Sequence, residues 1–187
     1  METYKKALKE YESENEDGKF RLIYTYFGLA IYFSQILEET FSQMLWSDRI
    51  FREKVKSSKE LNEIIEVIEN SKKTMGNFIN EIKQSYSLEK KLIEDLENIL
   101  KKRNYLVHKY FKNEIQKGYS DLGQREMLEY LGNFIDEAEN IDNKLKKYYE
   151  VYKLKLGLTQ EKLDNLANEM IRKEIEREKT TANTVYN

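Results

Sequence analysis

FRLIYTYFGLAIYFSQILEETFSQML, residues 20–45, decides the fold. Leu22, Tyr26, Leu29, Phe33, Ile36, Leu37, Phe41, Met44 and Leu45 recur at steps of three and four residues, the period of an α-helix. The pattern runs from Phe20 to about Lys56. Its first half is apolar on nearly every side, which places the helix at the centre of a bundle or at a subunit contact. Glu38 and Glu39 interrupt the apolar run. Either they face solvent, or Glu38 turns inward and orients a cation such as Arg103.

Working outward, residues 2–14 read as a short charged helix carrying Tyr4, Leu8 and Tyr11, and Asn15–Lys19 with Gly18 reads as a turn. Ser57-Ser58 opens a helix marked by Leu61, Ile64, Ile65 and Ile68. Thr74 caps a short helix through Met75, Phe78, Ile79 and Ile82. Ser87 is expected to cap the next one, whose stripe is Leu88, Leu92, Leu96, Ile99, Leu100, Leu106 and Val107. Arg103 falls on or beside that stripe, a costly place unless it is paired or borders a cleft. Asn113–Tyr119 reads as a loop, and Ser120 caps a long helix from Asp121 to about Leu156. Gly157 ends it. Thr159 caps a last helix, and Thr180–Asn187 reads as a frayed tail. The expected architecture is all-α: an up-and-down bundle over residues 1–156, with an additional helix and tail over 157–187.

The composition agrees. Among 187 residues there is no proline and only 7 glycines, which favours long helices. There is no cysteine and a single histidine, so thiolate chemistry is excluded and a zinc site lacks ligands. No cofactor or metal is called for. No apolar run approaches a membrane span, and the first residues lack the apolar core of a signal peptide. A cytoplasmic protein without membrane partners is expected. Net charge is −2, so attraction for a polyanion must be local.

That local charge lies at Lys101–Phe111, KKRNYLVHKYF. Lys101, Lys102, Arg103, Lys109, Lys112 and Lys117 stand close in sequence, against Glu114 alone. His108 can take and return a proton near neutral pH. Arg103 offers a fixed cation with a planar donor fork suited to phosphate. Asn104, four residues before His108, shares its helix face. These groups suit RNA cleavage without a metal: the 2′-hydroxyl loses its proton to a base and attacks the adjacent phosphorus. Lys102, Lys109 and Lys112 are candidate substrate contacts. One histidine is thin for both acid and base, so two copies meeting at this helix would supply the pair. A helix-surface histidine and a solvated arginine fit the same spacing.

Arg103, four intervening residues beginning with the polar Asn104, then His108 and the aromatic pair Tyr110-Phe111, resembles the motif of the HEPN superfamily. Glu38 on an aromatic first long helix, and Thr74-Met75-Gly76 opening a short helix before the motif helix, are similar to some bacterial members. The resemblance implies a helical bundle that dimerises through its motif helices. It also implies metal-independent endoribonuclease activity, with Arg103 and His108 catalytic and RNA as substrate. Members act in toxin–antitoxin and anti-phage systems beside an antitoxin or a larger defence complex, and some are inactive binding or dimerisation modules. Tyr110 matches the tyrosine that is adenylylated in some HEPN toxins, and is equally placed for packing support.

Overall fold

Asn15 starts the longest helix. Its side-chain oxygen accepts the Gly18 amide at 2.9 Å, satisfying one of the free donors of a first turn. Helix α2 (Glu16–Glu53) therefore begins before Phe20 and absorbs the segment expected as a turn. At 38 residues it is about 57 Å long. It ends at Lys54, which takes the left-handed conformation with φ of 55°.

The computed structural model describes residues 2–155 and 159–185, the side chains of 153, 154 and 181–185 excepted. Among them the regular structure is helical throughout, with no strand. The remaining helices are α1 (Glu2–Ser13), α3 (Ser58–Glu69), α4 (Met75–Ser85), α5 (Lys90–His108), α6 (Tyr110–Glu114), α7 (Asp121–Lys155) and α8 (Gln160–Val185). The fold is all-α, and the chain divides into two compact units, residues 1–149 and 150–187.

Within the first unit, cross-helix contacts fix the directions. Lys144 meets Asp95 at 2.9 Å, Lys102 meets Glu137 at 2.5 Å, and the Tyr110 hydroxyl donates to the Met127 carbonyl at 3.1 Å. As α5 and α6 advance, their partners on α7 recede, so the two run antiparallel. Lys19 with Asp121 and Thr40 with Asp142 advance together, so α2 and α7 run parallel. Leu37, Phe41, Leu96, Ile99, Leu106, Leu131, Phe134 and Leu145 are buried between these helices. Each contributes about 1.5–3 kcal/mol of burial.

α1 closes one end against α7. Its Tyr11 is fully buried, with the hydroxyl 2.6 Å from Gln124 Oε1 and 2.9 Å from Asp121 Oδ1. A Cβ on Gly132 would come within 2.8 Å of the Tyr4 backbone nitrogen, so only glycine permits that approach. α3 and α4 pack on α2. Ser57 caps α3 through the Glu60 amide, and Thr74 forms a reciprocal capping box with Asn77 at the start of α4.

Several expectations are corrected. α5 begins at Lys90, not behind a Ser87 cap; Glu89 holds the cap position, makes no capping bond, and pairs instead with Lys147 at 2.6 Å. Val107 is 42% exposed rather than part of the buried stripe. The stretch expected as a loop after Asn113 is the end of α6 followed by a 3-10 helix, Ile115–Tyr119. α8 continues through Thr180, whose hydroxyl donates back to the Glu176 carbonyl at 2.9 Å, where a tail was expected. Gly157, expected to end α7, lies outside the described residues.

Candidate functional site

The site is built where α5 runs out. Lys109 leaves helical geometry at φ −135°, and α6 restarts at Tyr110. Two aromatic side chains pin the restart. Tyr110 enters the core, stacked 5.4 Å from Tyr130 and 5.8 Å from Phe27. Phe111 packs on Phe27 at 4.7 Å and on Tyr24 at 5.5 Å. His108, the last residue of α5, is thereby held at an exposed corner.

Arg103 lies one turn further back, on the side facing α2. Its Nη2 donates to Glu38 Oε1 at 2.7 Å, and the two side chains are 23% and 29% exposed. Glu38 thus faces inward, onto the arginine. The rest of the guanidinium is loosely held. Nη1 makes a long 3.4 Å contact with Asn104 Oδ1, and the buried Nε has no partner. An arginine fixed at one corner, with donors to spare, is suited to a second anion.

Arg103, Asn104, His108 and Lys109 line one open groove of about 630 Å³. Thr74, Met75 and Gly76 at the start of α4 form its opposite wall. The helix phase explains how Arg103 and His108 meet there: they lie about 140° apart on α5, and the groove spans the arc between them. Asn104 and His108 share a face as expected, but no hydrogen bond joins them. The imidazole has no hydrogen-bond partner among the described residues.

Two groove residues were missed as site candidates. Lys101 and Tyr105, seven and three residues before His108, share its helix face and line the groove. Their spacing from His108, at helical steps of seven and three, is the sequence signal for both.

The fold also neutralises half of the basic run. Arg103 is matched by Glu38 from α2, Lys102 by Glu137 from α7, and Lys117 by both Glu114 and Glu126 at 2.9 Å. Tyr105 also bonds Glu114, and these two bonds hold its carboxyl below the usual glutamate range. Among the described residues, the cations of this run left without a salt bridge are Lys101, Lys109 and Lys112. Lys112 is exposed on α6 and lines neither this groove nor the one beside it that contains Lys102.

Tyr110 is 2% exposed, and burial pushes its phenol far above the ordinary tyrosine value. Its hydroxyl is engaged by the Met127 carbonyl. In this conformation it supports the α5–α6 corner and is closed to a modifying enzyme. Among the described residues no group of three His, Cys, Asp or Glu side chains is placed to hold a metal. No described helix is long and apolar enough to cross a membrane.

No protein-family model, curated protein or solved structure matches the chain.

Proposed function

We propose that the chain is a metal-independent endoribonuclease of HEPN type that works as a homodimer, as a toxin or anti-phage effector in the cytoplasm. The observation that carries this reading is the shared groove: Arg103, anchored by Glu38, and the exposed His108 border one open cleft.

In the proposed reaction one His108 takes the proton of the 2′-hydroxyl. The 2′-oxygen bonds to phosphorus, and the bond from phosphorus to the 5′-oxygen breaks. The His108 of a second copy returns a proton to the leaving 5′-oxygen. The products are a 2′,3′-cyclic phosphate and a 5′-hydroxyl. Arg103 donates to the phosphoryl oxygens as negative charge builds in the transition state. Lys109 adds positive charge at the same groove, and Asn104 offers an amide to the phosphate or the imidazole.

An exposed aromatic strip on α2 supports the homodimer reading. Tyr24 and Tyr32 on α2 are 51% and 56% exposed, and Gly28 between them opens onto empty space. All three share one helix face. Exposed Val107 falls in sequence between Arg103, which pairs with Glu38, and Phe111, which packs on Phe27, both contacts to α2. An aromatic strip adjoining a catalytic histidine suits an interface that brings two such histidines together.

The test is cleavage of single-stranded RNA in EDTA by wild type, His108→Ala and Arg103→Ala. Wild type cuts and both variants lose activity. A dimer that binds RNA and cuts nothing would instead make the chain a non-catalytic module for dimerisation, nucleotide binding or partner docking.

A further inference from the structure

A second groove adjoins the first. It lies between α5 and α7 and measures about 580 Å³. Lys91, Lys101, Lys102 and Lys144 line it, with the amides of Asn98 and Asn140. Lys101 belongs to both grooves, so they meet at its side chain.

Two carboxylates also line this groove, and their arrangement matters. Asp95 receives Lys144 at 2.9 Å and Lys91 at 3.1 Å, while Glu137 receives Lys102 at 2.5 Å. The lysine bonds, chiefly that from Lys144, hold the Asp95 carboxyl below its ordinary range. Four ammonium groups against two carboxylates leave a net positive groove. The acids hold three of the lysines in place, which lowers the ordering cost when an anion arrives. Lys101 makes no salt bridge among the described residues and projects at the junction.

From this geometry we infer that the α5–α7 groove is a second backbone-binding site for the same single strand that enters the His108 groove. The inference rests on the ribonuclease reading for the identity of that strand. Its ligand is the phosphodiester backbone two or more nucleotides from the scissile bond, held by Lys101, Lys102, Lys91 and Lys144. The Asn98 and Asn140 amides serve backbone or base-edge acceptors. From Lys91 to His108 the helix rises about 25 Å. That length accommodates on the order of four nucleotides, the lower end of known single-strand site sizes. An A-form duplex is stiff and wide, whereas a single strand can follow a groove that turns around one helix.

The experiment measures affinity of the full chain for 2′-O-methyl oligoribonucleotides of three, six and twelve nucleotides at several salt concentrations. These cannot be cut by 2′-hydroxyl attack, so binding is read apart from catalysis. Affinity should rise between three and six nucleotides and then level. Lys91→Gln with Lys144→Gln should weaken the twelve-mer about tenfold and the three-mer less than twofold. The salt slope for the twelve-mer should fall by about 1.4, two contacts at ~0.7 each. Lys91→Gln alone, which leaves Lys144 on Asp95, should also weaken the twelve-mer and spare the three-mer, and covers the case in which the double variant unfolds. Equal losses for short and long strands, no loss from either variant, or no binding at any length would overturn the inference. Length-dependent binding without cleavage of ordinary RNA would leave it standing and remove the nuclease reading. Cleavage unaffected by these substitutions would do the reverse.

Discussion

Glu38→Gln tests how firmly Arg103 is fixed. The substitution keeps the shape of the side chain and removes its charge. The pair is roughly three-quarters buried, between the exposed case, worth ~0–1 kcal/mol, and the buried case, where removing one partner costs about 3–5 kcal/mol. Placing it between those limits gives a loss near 2 kcal/mol. The Arg103 Nε, already buried without a partner, makes the arginine sensitive to any further loss. The assay is urea unfolding of wild type, Glu38→Gln, Arg103→Gln and the double variant. The double variant should lose less than the two singles together, with a coupling of about 1 kcal/mol or more. Cleavage by Glu38→Gln should also fall, because an arginine released from its anchor no longer meets the phosphate in one orientation. Additive losses, with coupling below ~0.3 kcal/mol, would show that the contact fixes nothing.

Other outcomes follow from the packing. Gly132→Ala should destabilise the first unit by ~1–3 kcal/mol, because the new Cβ meets the Tyr4 backbone rather than a side chain that can turn away; thermal melting measures it. Tyr110→Phe should cost about 1 kcal/mol through loss of the bond to the Met127 carbonyl, and should leave RNA cleavage within about threefold of wild type. Burial pushes Tyr11, Tyr26 and Tyr130 up to about 12, and Tyr110 further. A phenol whose folded pKa is raised contributes stability that is whole below pH 10. The unfolded chain ionises first, so that stability drains as pH climbs from about 10 through 12. Burial raises the Tyr105 phenol as well, so phenolate absorbance should show a late-titrating group of these five among the fourteen tyrosines, released together as the chain unfolds.

Much of the helical order was legible because capping and periodicity are local. Ser57 and Thr74 announce α3 and α4, and Leu92, Leu96, Ile99 and Leu106 of the expected stripe are buried, with Leu100 half-buried. What local pattern misses is partnership between distant segments. Lys102 and Lys117 look like free cations until Glu137 and Glu126 arrive from α7. Arg103 could be placed near the core from helix phase alone, and Glu38 offered as its partner, but only the folded α2 brings them to 2.7 Å. Tyr110 shows the opposite difficulty. Its position after the histidine suits modification or packing, and its ring stacks and Met127 bond depend on Phe27, Tyr130 and α7, far away in sequence. Val107 continues the apolar spacing, yet it is exposed because the helix ends one residue later and the chain turns.

The most direct measurement of the central claim is the chemistry of the cut ends. Single-stranded RNA is incubated with wild type and with His108→Ala in excess EDTA, and the fragments are analysed by mass. The account predicts 2′,3′-cyclic phosphate and 5′-hydroxyl termini from wild type, and a rate lower by at least a hundredfold for His108→Ala. No cleavage by wild type, or equal cleavage by His108→Ala, would contradict it.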